Sequence, residues 1–225
     1  MGISCIGKDK LPCVCDLTPQ ILREKLLGEK VESPYEVNET LPPRPAVLCA
    51  GCPHRGIFYA VSRQKNAVVA NDIGCYTLGM VPPLSVTDTI FCMGAGISAG
   101  LGMDRTFQMT NQDKKVFGFI GDSTFFHSGI TALIDAVWNQ NNIAISILDN
   151  RTTAMTGHQD NPGTGHNLMG EEAPIIDIEK IVEAVGVDKK NIRTVNAYDL
   201  NAVTVAVKDA ANSKGVFVII NKQPC

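Results

Sequence analysis

The chain lacks long apolar runs. None of its hydrophobic stretches approaches the roughly 20 residues that a membrane-spanning helix needs. The 44% of its 225 residues that are hydrophobic therefore read as a buried core, with no membrane partner expected. Met1 to Lys10 has no secretory apolar region, and Ile6 stands where the myristoylation pattern after Met1-Gly2 wants serine or threonine. A reducing, cytoplasmic setting follows as the expectation, in which the eight cysteines are thiols or metal ligands before they are disulfides. Excess charge is also missing: a net charge of -3 leaves no basic footprint for a nucleic acid. No second Cys-x-x-Cys pair follows Cys49 and Cys52, so a zinc finger is excluded, while a redox dithiol or an iron-sulfur ligand pair stays open.

What remains is enough for one large α/β domain and a small appendage. Residues 1–45 read as a lead-in. Thr18-Pro19 is a helix cap with a first-turn proline, Ile21, Leu22, Lys25 and Leu26 form a short amphipathic helix, and Gly28 ends it. Glu29 to Pro45, with four prolines and no sustained period, is a linker. Cys5, Cys13 and Cys15 read as ordinary thiols, because Cys13-x-Cys15 is too tight for a usual metal pair. The lead-in resembles the tail of an upstream region, so a fragment or one subunit of a longer assembly is expected.

Residues 46–225 are organised around Val116 to Asn150. An apolar run to Ile120 breaks at Gly121-Asp122-Ser123-Thr124, a helix-period segment continues to Trp138, and a second apolar run, Ile143 to Leu148, ends in Asp149-Asn150. Strand, crossover helix and parallel strand bring Asp122 and Asn150 to one carboxyl edge, where open α/β sheets bind ligands. A carboxylate and an amide carbonyl are hard oxygen donors suited to Mg²⁺ carrying a phosphate. Gly121 is expected to let backbone approach that phosphate, and Ser123-Thr124 to open the helix over it.

Gly121-Asp122-Ser123 and Asp149-Asn150 resemble the thiamine diphosphate motif, usually Gly-Asp-Gly followed by Asn-Asn, with Ser123 and Asp149 as two departures. Three further blocks extend the likeness: Cys49-Ala-Gly-Cys52-Pro-His54, Asp72-Ile-Gly74-Cys75-Tyr76, and Thr152-Thr153-Ala-Met-Thr156-Gly-His158-Gln159. Together they resemble the thiamine-binding part of the large subunit of the indolepyruvate:ferredoxin oxidoreductases, within the 2-oxoacid:ferredoxin oxidoreductase family. The resemblance covers about Arg44 to Cys225 and implies a doubly wound, mostly parallel sheet with helices on both faces. It implies Mg²⁺ on Asp122, Asn150 and the main-chain carbonyl of Thr152. Cofactor contacts are expected from Cys52, His54, Gly74, Cys75, Met93, Gly94, Gly121, Asp122, Ser123, Thr124, Asn150, Thr152 and Thr153, with His54, Cys75 and Thr153 nearest the chemistry. It also implies a [4Fe-4S] cluster on Cys49, Cys52, Cys75 and Cys225, against plain buried thiols as the alternative. Cys225 is the least pinned of the four, being the last residue.

Elsewhere the reading is coarser. His54 and Arg55 open a helix to Gln64, and Ala67 to Asp72 is a buried strand. Tyr76 to Val86 reads as a loop that covers something. Asp88 opens a small-residue helix to Met103, and Gly94-x-Gly96-x-x-x-Gly100 has the wrong spacing for a dinucleotide loop and no strand directly before it. Arg151 to Gly170 is a loop expected over the cofactor, with His158 and His166 as candidates for substrate contact. A helix at Ile175 to Val185, a strand at Arg193 to Val195, a helix from Asp199 to Ala211 and a strand at Val216 to Asn221 complete the sheet.

The resemblance implies thiamine diphosphate-dependent oxidative decarboxylation of an aryl 2-oxoacid such as indolepyruvate, with coenzyme A taking the acyl group and ferredoxin the electrons. The activating glutamate of such enzymes sits on a pyrimidine-binding domain, which residues 46–225 do not supply, so a partner domain or second subunit in an oligomer is expected and the chain alone should be inactive. Two other readings stay open: a non-oxidative 2-oxoacid decarboxylase subunit, and a non-enzymatic thiamine-binding scaffold.

Overall fold

Strands β3, Lys115–Gly121, and β4, Ile143–Asp149, are buried along their whole seven-residue lengths. This is why both read as unbroken apolar runs and not as alternating ones: a strand central in a parallel sheet is covered on both faces. In the computed structural model, which describes residues 7–14, 16–30, 32 and 38–225, they form the centre of a six-stranded parallel sheet. The other strands are β1 (Ala67–Asn71), β2 (Thr89–Ile90), β5 (Ile192–Asn196) and β6 (Phe217–Lys222), in the spatial order β2-β1-β3-β4-β6-β5. From β1 the chain steps outward to β2 and then returns to β3 on the other side. That reversal opens a crevice between the carboxyl ends of β1 and β3, the place where doubly wound sheets take ligands.

Alternate residues of the strands feed two cores. Phe117, Phe119, Ala144 and Ile219 pack with Ile57, Phe58 and Val61 of helix His54–Ser62 and with Val203, Ala206 and Val207 of helix Leu200–Asn212. On the opposite face Val116, Ile120, Ile143, Ile145 and Val218 pack with Ile97 and Leu101 of helix Ala95–Met109, Leu133 of helix Ile130–Trp138 and Val182 of helix Ile178–Val185. Each fully buried aliphatic or aromatic side chain contributes about 1.5–3 kcal/mol, and helices cover both faces of the sheet as the resemblance implied.

Contacts divide the chain into two compact units, residues 1–45 and 46–225. In the first, Thr18 Oγ1 accepts from the Ile21 amide at 3.3 Å, one α turn runs Pro19–Leu22, a π turn runs Arg23–Leu27, and Gly28 closes it at φ +70°. Cys13 is an exposed free thiol. Cys5, Cys15, Ile6, Pro34 and Met1-Gly2 lie outside the described residues.

Several sequence-based boundaries move in the second unit. The stretch after Gly74 is not simply a loop: Cys75–Met80 is a 3₁₀ helix, held by the Thr77 hydroxyl, which donates to the Asp72 carbonyl and accepts from the Gly74 amide. A two-residue strand, β2, does precede Gly94, pairing Ala70 with Thr89. The small-residue helix starts at Ala95, not Asp88, and continues to Met109. The crossover after β3 is α-helical at Asp122–Thr124, a π turn at Phe125–Gly129 and α-helical again at Ile130–Trp138. The helix expected from Ile175 begins at Ile178, where the Asp177 carboxylate caps the Glu179 amide at 2.9 Å. Among the described residues no helix is long and apolar enough to cross a membrane.

Candidate functional site

The parallel β3-β4 pairing sets Gly121 opposite Leu148, so the residues just beyond both strands emerge side by side. Asp122 and Asn150 are both buried, at 2% and 7% exposure, and both line a cavity of about 150 Å³ at the β1/β3 crevice. Successive side chains of a strand point to opposite faces. Asn150 enters the cavity, while Asp149 turns away and meets Arg151 Nε at 3.3 Å and Lys222 Nζ at 3.9 Å. The departure at Asp149 therefore falls outside the cavity. Arg151 takes the left-handed conformation, φ +58°, uncommon for a residue with a side chain. That reversal turns the chain so that the Thr152 carbonyl faces back toward Asn150.

Three groups converge there. One terminal atom of the Asn150 amide lies 3.2 Å from Asp122 Oδ1 and 2.9 Å from the Thr152 carbonyl oxygen. With nitrogen in that position both contacts are hydrogen bonds; with oxygen turned in, the amide oxygen faces both the Asp122 carboxylate and the Thr152 carbonyl. An octahedral Mg²⁺ about 2.1 Å from each ligand places neighbouring oxygens about 3.0 Å apart. The spacing fits a small divalent cation, and the donor set is of the hard-oxygen kind such a cation takes.

Asp122 is placed further by its neighbours. Its Oδ1 accepts from the Ser123 amide at 2.9 Å, and its Oδ2 accepts from Asn161 Nδ2 at 3.0 Å. Burial raises its pKa to about 6, opposed by the hydrogen bonds from Asn161 and Ser123. Asn161 was not anticipated from sequence. The signal was present in Asn161-Pro162-Gly163, a turn-forming triplet whose asparagine bonds its own backbone two residues on: the Gly163 amide donates to Asn161 Oδ1 at 2.8 Å.

Gly121 lines the cavity, and its missing side chain meets a second need besides the expected phosphate approach. A Cβ there would lie 2.7 Å from Tyr76 Cε1, and one at Gly74 would lie 2.5 Å from the same atom. The two glycines make room for the Tyr76 ring, whose hydroxyl donates to the Ile73 carbonyl at 2.9 Å. Tyr76 lines the cavity with Ile73, Gly74, Cys75, Met93, Ser123, Thr124, Thr152, Thr153 and Met155. Of the anticipated cofactor contacts, Cys52 and Gly94 do not line it. The Gly94 amide instead donates to Asp72 Oδ1 at 2.7 Å, fixing the turn that carries Met93. His158 and His166 are placed together on a separate cavity of about 590 Å³ formed by the loop after Asn150, away from Asp122.

A third cavity, about 250 Å³, is lined by Cys49, Cys52, Cys75 and Cys225. All four are free thiols. Arg55 braces the turn that carries the first two, donating to the Leu48 carbonyl and, at 2.9 Å, to the Cys49 carbonyl. Burial pushes the Cys52 thiol pKa up, opposed in part by the His54 amide at the start of its helix. Cys225 is pinned by its own amide, which donates to the Asn150 carbonyl at 3.0 Å. Among the described residues no three histidines, cysteines or carboxylates are close enough to share a single ion. A cubane sets its thiolates farther apart, since four irons lie between them, so four cysteines around one cavity match its ligand number. His54, Cys75 and Asn150 line both this cavity and the Asp122 cavity. His54 is 3% exposed, with Nδ1 unpartnered, and burial lowers its pKa to about 4, so the imidazole is neutral.

Residues 72–221 match the family model described as thiamine pyrophosphate enzyme, C-terminal TPP binding domain. The chain belongs to the thiamine pyrophosphate enzymes. Within that family it is 42% identical over 227 residues to the indolepyruvate oxidoreductase subunit IorA of Methanothermobacter thermautotrophicus, covering 96% of this chain and 35% of the relative. It is 39% identical to the subunit of the same name from Thermococcus kodakarensis, covering 97% and 37%. The chain thus spans little more than a third of these curated relatives. Its fold is similar to that of the 2-oxoglutarate:ferredoxin oxidoreductase of Magnetococcus marinus, at a TM-score of 0.67 and 16% identity over 82% of this chain and 66% of the other.

Proposed function

We propose that the chain is the diphosphate-binding portion of an oxidoreductase that decarboxylates an aryl 2-oxoacid of the indolepyruvate kind, hands the acyl group to coenzyme A and passes electrons to ferredoxin. The observation that carries this reading is the convergence of the Asp122 carboxylate, the Asn150 amide and the Thr152 carbonyl at the β1/β3 crevice. These three would hold Mg²⁺. At the start of the crossover helix, where Ser123 and Thr124 line the cavity, the Thr124 N–H would be offered to a diphosphate, that of Ser123 being donated to Asp122 Oδ1. When bound, thiamine diphosphate supplies the carbon nucleophile and electron sink that decarboxylation of a 2-oxoacid requires.

The residues of this chain do the positioning. Ile73, Tyr76, Met93 and Met155 present an apolar wall against water, and the two methionine thioethers favour an aromatic substrate by sulfur–aromatic contact. The names of the curated relatives support the same choice of substrate. His54, Cys75 and Thr153 line the cavity and would stand nearest the chemistry; the Thr153 amide donates to the Gln159 carbonyl at 2.9 Å, fixing its place on the loop. Cys49, Cys52, Cys75 and Cys225 would hold a [4Fe-4S] cluster. His54, Cys75 and Asn150 line both the thiol cavity and the cofactor cavity, a proximity that would suit single-electron transfer outward. The pyrimidine-binding domain comes from chain beyond this stretch or from a second subunit.

The complex purified anaerobically should contain iron and sulfide and reduce a low-potential dye with indolepyruvate and coenzyme A, while residues 46–225 alone turn over nothing. A colourless complex that still releases CO₂ from the 2-oxoacid would instead establish the non-oxidative decarboxylase. Full activity of the isolated chain would contradict the division of the site.

A further inference from the structure

Asn161 lies 39 residues beyond Asp122 in sequence, yet the Asp122 carboxylate spends one of its two oxygens on it. Asp122 Oδ2 accepts from Asn161 Nδ2 at 3.0 Å, while Oδ1 faces the Asn150 amide, which also meets the Thr152 carbonyl. Both residues are buried, Asp122 at 2% and Asn161 at 6% exposure. The asparagine is itself held rigid. Its Oδ1 accepts from the Gly163 amide at 2.8 Å, its carbonyl accepts from the Thr164 amide at 2.9 Å, and Arg151 ties the same turn to the end of β4 by donating to the Gly163 carbonyl.

We infer that Asn161 is a positioning residue that makes Asp122 a one-oxygen ligand and thereby sets the site's preference for a small cation. This rests on the reading of Asp122, Asn150 and Thr152 as a divalent-cation cradle. Mg²⁺ holds carboxylates through single oxygens in a tight octahedron, whereas the larger Ca²⁺ takes more ligands and accepts two-oxygen chelation. A buried carboxylate whose second oxygen is already occupied cannot rotate to chelate. A free second oxygen would have no partner in the cavity and would turn toward the ion. Partners of metal ligands outside the coordination sphere typically change affinity 10–100-fold when removed. Because the donor comes from the loop that also carries Thr152, the loop must be in place for the cation to be held in this way.

Two substitutions separate this role from a structural one. Asn161→Ala removes both the donor to Asp122 and the acceptor for Gly163. Asn161→Ser keeps an acceptor for the Gly163 amide, as serine does in turns of this type, but is too short to reach Asp122. Thiamine diphosphate binding is titrated calorimetrically with Mg²⁺ and, separately, with Ca²⁺, after circular dichroism has shown each variant folded. Both variants should lose about 10–100-fold in the Mg²⁺-supported affinity, and the Mg²⁺-over-Ca²⁺ preference should fall in both. Wild-type preference and affinity in the serine variant would overturn the inference, as would an alanine variant that loses both cations equally. If the wild-type chain binds the cofactor equally with and without a divalent cation, it is the cradle itself that fails. An intact wild-type cation dependence with unchanged variants isolates the failure to Asn161.

Discussion

The two cavities that meet at His54, Cys75 and Asn150 are built in opposite ways. The oxygen cradle hangs on the ends of two central, fully buried strands, and its carboxylate is hydrogen-bonded on both oxygens before any guest arrives. The thiols sit on a turn before a helix, in a 3₁₀ segment and at residue 225, with Cys49 and Cys225 exposed. The first region is shaped by the sheet; the second would be completed by the proposed cluster. Cation geometry should therefore survive changes at the cysteines, while the cluster should be sensitive to the loss of any one thiol.

The largest expected effect breaks the comparison if it fails. Cys49→Ser, which touches only the thiol cavity, should reduce iron from about four per chain to near zero by chemical analysis, with Mg²⁺-dependent thiamine diphosphate binding unchanged by calorimetry. Simultaneous loss of both would show that the two regions form one cooperative unit. Next comes the rigidity of the cradle. Gly121→Ala forces a methyl against the Tyr76 ring and should cost about 1–3 kcal/mol in urea unfolding; Gly121→Ala with Tyr76→Leu should recover part of that. An unchanged midpoint in the single variant would mean that the ring moves freely and that the cradle is softer than its packing shows.

The amino ends of the same strands provide a control. Burial lowers the pKa of Lys115 to about 8, with its ammonium donating to Asn142 Oδ1 at 2.7 Å and to the Ser213 carbonyl at 3.1 Å. The folded chain holds this proton less tightly than the unfolded chain. The associated stability is thus complete above the ordinary lysine pKa and is lost as pH falls through about 8. Unfolding free energy should rise between pH 8 and 10 by well under about 3 kcal/mol, since solvent still screens part of the group. Lys115→Met should flatten that rise. The smallest effect belongs to Cys13→Ser: an exposed thiol in the lead-in should shift stability by less than about 0.5 kcal/mol and leave iron content unchanged.

The contrast also explains what was legible in the sequence. Asp122 and Asn150 could be paired because unbroken apolar runs fix two parallel strands, and a parallel pair puts its polar ends together whatever the side chains between do. Cys49, Cys52 and Cys75 could be grouped through the resemblance, and the bond from the Cys225 amide to the Asn150 carbonyl supplied the position that sequence left open. Asn161 was not legible, because its turn is local while its partner is 39 residues away, and loop reach carries no periodicity. Gly121 was legible in part: besides the backbone approach expected at the cavity, the Tyr76 ring occupies the space a Cβ would take, brought there by the 3₁₀ turn Cys75–Met80, which reads as a loop in the sequence.

The central claim is that Asp122, Asn150 and the Thr152 carbonyl grip one divalent cation. Mn²⁺ in place of Mg²⁺ makes this visible by electron paramagnetic resonance, titrated into the chain with thiamine diphosphate present. The account predicts one tightly held Mn²⁺ per wild-type chain and its loss in Asp122→Ala at the same concentrations. Equal Mn²⁺ binding by both proteins would contradict it.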